Sequence, residues 1–436
     1  MATSDNTVAE VSLWGRRVGA VSWDSQPGRA SFEYDKDFQE SGIEIAPFHM
    51  PLGPEIYSFP ALGFESFKGL PGLLADSLPD DFGNKLINTW LAQQGREPDS
   101  LNSVERLCYI GSRAMGALEY APVIGERRNN PKKLDVSKLV ELASDILSQR
   151  DEFKTELDGE DSMNDILRVG TSAGGARAKA IIAWNEESNE VRSGQSEPGD
   201  GFSHWILKLD GVSNNKDKEV ADPKGYGRIE YAYYLMAKDA GINMAESRLH
   251  EENGRAHFMT KRFDRTDDGL KIHMQTLAAL EHFDYRMPGA YSYEQALMTI
   301  RKLGLPLAAV EQQLRRAAFN IIARNQDDHV KNISFLMNPL GEWILSPAYD
   351  VTFSYNPNGA WTGQHQMSLN GKRDHFTIED FRECAANFSL KRGRIDEIVE
   401  EVQGVVMRWE DYGAVAGLDD TLTGSIQAAQ RCEIVS

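Results

Sequence analysis

Asp327 opens a short polar run, Gln326-Asp327-Asp328-His329-Val330-Lys331-Asn332, and a second polar turn, Ser346-Pro347-Ala348-Tyr349-Asp350, follows it. An aspartate, an asparagine five residues on and an isolated later aspartate suit the transfer of a phosphoryl group. That reaction needs little covalent help but much positioning and charge neutralisation. Asp327 would orient an attacking hydroxyl and receive its proton. Asn332 would offer an amide oxygen to magnesium, and Asp350 a full carboxylate. Magnesium prefers hard oxygen ligands and commonly takes one or two protein groups plus phosphates. His329 and Lys331 stand between them, within reach of a phosphate. Asp and Asn are also common in loops, so the run alone also reads as a polar connection between a helix and a strand.

A second constellation lies upstream. Gly170-Thr171-Ser172-Ala173-Gly174-Gly175-Ala176-Arg177-Ala178-Lys179 separates two apolar runs, 166–169 and 180–184, both read as strands. Its glycines let backbone N–H groups approach phosphates, and Arg177 and Lys179 add positive charge. No G-K-[ST] follows, so this is not a Walker A loop. A strand rather than a helix follows, which removes a dinucleotide fingerprint. The plain alternative is a flexible hairpin tip. Lys208 sits in an apolar strand, 204–209. Either it lies on an edge with its head in water, or it pairs with nucleotide phosphates and a helix carboxylate, for which Glu230 is the nearest candidate.

Glycine loop, strand lysine, helix glutamate, connecting strand, helix, Asp/Asn loop and metal aspartate follow one another as they do in a protein kinase. H-R-D and A-P-E are absent and no D-F-G follows the Asp327 loop, so the relationship is distant. Thr171 and Ser172 then become candidate phosphorylation sites.

The elements that must hold these groups are legible in outline. Residues 9–125 read as short strands, with a hairpin turning at Gly15 and a helix from about Phe82 to Gln94. The basic stretch 127–133 reads as a linker. Helices are expected at 135–150, at 229–240 with Gly241 closing it, and at 308–323, where Val310, Leu314, Ala317, Ala318, Ile321 and Ile322 share one face. A strand at 257–263 follows a turn at Asn253-Gly254. From about 275 the pattern is mainly helical. The chain has 436 residues, 41% of them hydrophobic, enough for two or three domains. A net charge of −19 opposes non-specific nucleic-acid binding. Three scattered cysteines suggest neither disulfides nor zinc, and a reducing cytoplasm is the simple reading. No apolar run approaches the ~20 residues that span a bilayer, so no membrane association is expected.

With these motifs in view the chain resembles the HipA-type serine/threonine kinases, toxins of bacterial type II toxin–antitoxin pairs. The resemblance runs over nearly the whole length. It is carried by Gly69-Leu70-Pro71-Gly72-Leu73-Leu74-Ala75-Asp76-Ser77-Leu78-Pro79-Asp80, by Ile110-Gly111-Ser112-Arg113-Ala114-Met115-Gly116-Ala117-Leu118, and by Lys261-Arg262-Phe263-Asp264-Arg265. Ser172 to Lys179 is similar to the family's S-x-x-G-x-Q-x-K, with Arg177 in place of Gln. Gln326 to Asn332 is similar to T-D-x-H-x-K-N, and Pro347 to Asp350 to P-x-Y-D.

The resemblance implies an α+β, two-lobed kinase-like fold. A mainly β N-terminal subdomain would occupy 1–125, small-lobe elements 135–270 and a mainly helical lobe 271–436. It implies Asp327 as the catalytic residue and Asn332 and Asp350 as magnesium ligands. The ATP site would comprise Gly174, Gly175, Ala176, Arg177, Ala178, Lys179, Lys208, a hinge of Lys261, Arg262 and Phe263, then His329, Val330, Lys331, Asn332, Tyr349 and Asp350. It implies autophosphorylation at Ser172, a small helix-turn-helix, HipB-like antitoxin, operator DNA bound through that antitoxin, and a protein substrate linked to translation, such as an aminoacyl-tRNA synthetase. Two rivals stand beside it. One is a metal-dependent phosphohydrolase using Asp327, Asp328, His329 and Asp350 with two metal ions. The other is a non-catalytic nucleotide-binding co-repressor.

Overall fold

The computed structural model describes residues 6–98, 100–124, 133–148, 166–167, 169–170, 177–195, 199–212, 216–217, 220–221 and 225–434. The first sheet is antiparallel, and its five strands lie in the spatial order Ile56–Tyr57, Arg29–Tyr34, Arg16–Asp24, Asn6–Leu13, Leu118–Ala121. Trp14 and Gly15 both take positive φ, 50° and 74°, as a two-residue hairpin turn of matching twist requires. Ala9, Val11 and Leu13 alternate into a core with Phe32, Leu73 and Leu107.

The second sheet is also antiparallel, in the order Ser247–Glu252, Arg255–Lys261, Ser203–Lys208, Lys179–Asn185, Glu190–Ser193. Lys208 is therefore on the central strand, which removes the edge-lysine reading. One side of this lobe packs on the helix Val136–Ser148 and on Phe82 and Leu86 of the helix Asp81–Gln93. The helix Tyr226–Asp239 packs against Arg255–Lys261 and buries Ile229, Tyr233 and Met236 in the helical lobe.

One expectation is corrected here. The run 166–169 was expected as a strand, but Ile166, Leu167, Val169 and Gly170 are helical. They are packed among Phe82, Leu86 and Leu139. A short apolar run that is wholly buried carries no periodicity to tell the two states apart.

In the third region the helix Leu307–Ile322 is the axis, with Leu314, Ala317, Ala318, Phe319, Ile321 and Ile322 fully buried. Tyr293–Lys302 and Arg394–Val406 pack beside it. A three-stranded antiparallel sheet, ordered His273–Thr276, Ser334–Met337, Trp343–Leu345, lies against the N-terminal domain, and Met337 belongs to that domain's core. No helix among the described residues is long and apolar enough to cross a membrane.

The N-terminal domain is joined to the rest by buried polar contacts. Asp76 accepts from Thr276 N at 2.7 Å and Thr276 Oγ1 at 2.9 Å. Gly72 N donates to His282 Nε2, and a Cβ at Gly72 would lie 2.4 Å from the Ala279 carbonyl oxygen. Only glycine allows that approach. Asp264, fully buried, pairs with Arg262 at 2.6 Å and Arg265 at 2.9 Å, and accepts from Gly116 N at 2.7 Å. Burial alone would raise the Asp264 carboxyl, but the two guanidiniums outweigh it and hold it well below the ordinary carboxylate range.

Removing one partner of such a buried pair costs about 3–5 kcal/mol. Asp264→Ala should lose about that much stability in urea unfolding. Asp267→Ala, whose side chain is 90% exposed, should leave the urea midpoint close to that of the parent. Because the folded Asp264 carboxyl titrates below its unfolded value, its contribution is present above about pH 4 and is lost on further acidification.

Candidate active site

The axial helix ends at Ala323, and Arg324 turns the chain with φ +61° into the Asp327 loop. Asn325 N donates back to Asn320 O and His329 N to Asp327 O, and a 3₁₀ turn follows at Val330–Asn332. The Val330 side chain is 1% exposed, so it pins the loop into the core rather than facing a ligand.

Two adjacent aspartates part company here. Asp328 is buried, accepting from Tyr293 OH at 2.6 Å, His365 Nδ1 at 2.8 Å and Gln366 N at 2.7 Å. Burial works against its charge, but these partners hold the carboxyl below its ordinary value. Asp327 is less buried. Its Oδ1 accepts from Trp361 Nε1 at 2.5 Å, and His329 Nε2 lies 3.9 Å away. Asn332 Nδ2 donates to Asp327 O at 2.9 Å, which directs the Asn332 amide oxygen the other way.

Lys208 Nζ lies 2.5 Å from Glu230 Oε1 and also donates to Asp350 Oδ1. Burial would lower this ammonium, but the Asp350 and Glu230 carboxylates outweigh it and hold it above the ordinary lysine value. Asp350 is held well below the ordinary carboxylate range, because Lys208 overcomes the effect of burial. Glu230 moves the other way, pushed up by burial against the pull of Lys208. Asp350 takes φ +56°, a conformation costing a β-carbon-bearing residue about 1–3 kcal/mol. Tyr349 braces this turn: its hydroxyl donates to Lys331 O at 2.5 Å, and its ring lies 5.6 Å from Phe263. Lys331 itself lies over the Tyr285 ring.

His329, Asn332, Tyr349 and Asp350 line one cavity. The donor set fits magnesium: one ionised carboxylate, and one amide whose nitrogen is engaged so that its oxygen is presented. No group of three or more His, Cys, Asp or Glu side chains gathers as a metal cluster among the described residues.

Other expected site residues are placed differently. Ser172, Gly174, Gly175 and Ala176 lie outside the described residues. Arg177 stacks its guanidinium on the Tyr226 ring. Ala178 is fully buried and its carbonyl accepts from Leu209 N. Lys179 was expected at the phosphates. Its Nζ instead lies 2.8 Å from Asp80 Oδ2, with both side chains under a tenth exposed, while Asp80 also caps the helix Asp81–Gln93 through Gly83 N. A buried ammonium with a carboxylate at hand stays with it. In the expected hinge, Lys261 N donates to Glu246 O and Arg262 N to His204 O. The Arg262 side chain is 3% exposed and is committed to Asp264. Trp361 and His365 were not anticipated, and Asp328 was expected only as a metal ligand of the rival hydrolase. A lone tryptophan in the polar stretch 355–366 was the available signal for Trp361.

The HipA N-terminal domain model matches residues 9–121, and the HipA-like C-terminal domain model matches 171–409. A Sinorhizobium fredii protein described as a kinase, Y4dM, is 28% identical over 237 residues, which are 51% of this chain and 56% of that relative. The chain thus spans about half the length of that relative. The serine/threonine-protein kinase toxin HipA of Shewanella oneidensis is 22% identical over 377 residues, 80% of this chain and 76% of that one. A chain in the solved complex of HipA, HipB and operator DNA from Shewanella oneidensis MR-1 superposes with a TM-score of 0.69 at 18% identity, covering 98% of this chain and 97% of its own. The fold is thus the α+β fold of that chain. Since the C-terminal model alone spans more than half of the sequence and the N-terminal model most of the remainder, the chain belongs to the HipA family.

Proposed function

We propose that this chain is an ATP- and magnesium-dependent protein serine/threonine kinase acting as the toxin of a type II toxin–antitoxin module. The observation that carries the reading is Lys208 bridging Glu230 and Asp350 while Asn332 and Asp350 line one cavity. A strand lysine paired to a helix carboxylate and a metal-site aspartate is the arrangement a kinase needs in place before it transfers a phosphoryl group.

Lys208 is charged and would bind the nucleotide phosphates. Trp361 fixes the Asp327 carboxylate, which would orient the substrate hydroxyl and receive its proton. Asn332 and Asp350 would hold magnesium, which when bound neutralises charge on the phosphates. His329 lies close enough to Asp350 to help hold that carboxylate ionised. The proposed division of the chain is 1–125, 135–270 and 271–436.

The finer assignments belong to this proposal. They are ATP contacts from the loop 174–179 and the hinge 261–263, and autophosphorylation of Ser172. They also include a HipB-like helix-turn-helix antitoxin that carries the complex to operator DNA, a translation-linked protein substrate and a bacterial cytoplasmic location. The names of the relatives support the antitoxin and DNA. The lack of a basic surplus supports DNA contact through a partner rather than directly. A phosphate on Ser172 would add about −1.5 to −2 charges beside the nucleotide site, opposing ATP there.

Three outcomes are expected. Asp327→Asn should cut label transfer from ATP to protein by about 10²–10⁴-fold, the usual worth of a positioned base. Label appearing only as free phosphate would favour the hydrolase. Asp350→Ala should remove magnesium-dependent transfer; full activity in that variant sinks the metal assignment. After incubation with ATP, mass spectrometry should find phosphate at Ser172 in the parent and none in Asp327→Asn. Phosphate confined to the C-terminal tail would refute the proposed switch.

A further inference from the structure

We propose that Arg431, which lies beyond the segments matched by the family models, is a positioning residue for the catalytic loop, acting through His365 and Asp328. This inference rests on the kinase reading of Asp327. The chain after the helix Asp420–Ala429 returns to the end of the axial helix and docks there. Arg431 N donates to Ile322 O at 2.8 Å, Arg324 Nε to Ala429 O at 2.7 Å, and Gln403 Nε2 to Cys432 O at 2.5 Å. The docked residues Ile322 and Arg324 immediately precede the Asp327 loop.

The Arg431 guanidinium then makes a directed set of contacts. One nitrogen donates to Ile321 O at 3.0 Å and lies 2.9 Å from His365 Nε2; the other donates to Asp374. His365 is wholly buried, and its Nδ1 lies 2.8 Å from Asp328 Oδ2. Polarity fixes how this chain runs. An ionised carboxylate only accepts and a guanidinium only donates. His365 therefore carries its proton on Nδ1, facing Asp328, and accepts from Arg431 at Nε2. Lone-pair and proton positions agree from the tail to the loop, with no alternative tautomer that keeps both bonds.

Asp328 passes this order to its neighbour. Three donors hold its carboxylate, so the backbone of residue 327 has little freedom. Gln366 carries the same constraint to the other side of Asp327. Its backbone N donates to Asp328, and its side-chain amide donates to Gln326 O at 3.2 Å and to the carbonyl of Trp361, whose indole holds Asp327. Loss of Arg431 removes the donor at His365 Nε2 and frees the ring to turn. Asp328 then loses one of its three bonds and the loop its register. A misplacement of about 1 Å can cost on the order of 10²-fold in rate without touching the chemistry. ATP contacts through Lys208 lie on the other lobe and are not part of this chain.

The test compares Arg431→Met, which donates nothing, with Arg431→Lys, which can still donate to His365 Nε2. Turnover and KM for ATP are measured on full-length protein, with thermal midpoint and amide hydrogen exchange alongside. Arg431→Met should lower turnover by about 10–100-fold, with KM for ATP within about twofold and faster exchange confined to 325–333. Arg431→Lys should recover most of the turnover. Parent-like turnover and exchange in Arg431→Met would overturn the proposal, as would a uniform loss of exchange protection that Arg431→Lys does not repair. If the parent transfers no phosphate, the kinase reading has failed. The exchange arm then decides separately whether Arg431 orders the loop.

Discussion

The site depends on Lys208, a lysine with 18% of its side chain exposed. Lys208 emerges from the central strand of its sheet, where it cannot escape to an edge, and its ammonium must be met where it stands. Glu230, 2% exposed, meets it from the helix that packs beneath the sheet, and Asp350 meets it from the turn after the Asp327 loop. Leaving a buried charge unpaired costs about 3–5 kcal/mol, so the strand, helix and turn are held together by electrostatics rather than by sequence proximity. The same attraction accounts for the backbone of Asp350. Its positive φ costs about 1–3 kcal/mol, and the bond to Lys208 favours the turn that carries it. The turn is therefore held in a form that presents a charged oxygen to the cavity lined by Asn332.

The N-terminal domain enters through a second set of buried charges. Asp264 with Arg262 and Arg265 ties the strand end at Lys261 to the loop around Gly116. Asp80 with Lys179 ties the end of the glycine-rich stretch to a helix of the same domain. Asp76 with Thr276 ties the strand beside the catalytic loop. Buried pairs of this kind add little net stability over apolar packing, but they punish wrong arrangements, because a mismatched partner is left charged and dry. The three ties fix where the first domain sits on the two lobes. They also engage Lys179 and Arg262, two cations of the expected nucleotide site, with Asp80 and Asp264.

Sequence legibility followed the range of the interaction. Asp327 and Asn332 share one loop, and their spacing was visible. Lys208 stood out because a charge in an apolar strand is rare, and Glu230 followed from being the next helical carboxylate. The helices around 82–94, 229–240 and 308–323 were readable because one-sided burial leaves a period. Where burial is complete the period vanishes, and the run 166–169, helical at Ile166, Leu167 and Val169, was taken for a strand. The surroundings of Lys179 were hidden for a related reason. Its charge was legible, but its partner Asp80 lies 99 positions earlier and only the fold brings the two together. Trp361, His365 and Arg431 reach the loop from 34 to 110 residues away.

Asp327 and Asp328 show how little residue type decides by itself. They are chemically identical neighbours on one backbone, and in the sequence only the spacing to Asn332 favours Asp327 as the base. Burial separates them. Asp328 is 3% exposed and has its oxygens taken by a tyrosine, a histidine and a backbone amide, so it is charged, immobile and unavailable. Asp327 is partly exposed, and its carboxylate accepts from the Trp361 indole N–H. A base has to be oriented without being consumed, and the pair divides that labour. The inner carboxylate takes the fixed hydrogen bonds that set the backbone, and in the proposed reaction the outer one would meet the substrate. Exchanging the two would place a charged group with no donors in the interior and a fully bonded one at the mouth, so the order of this pair follows from the direction in which the loop faces.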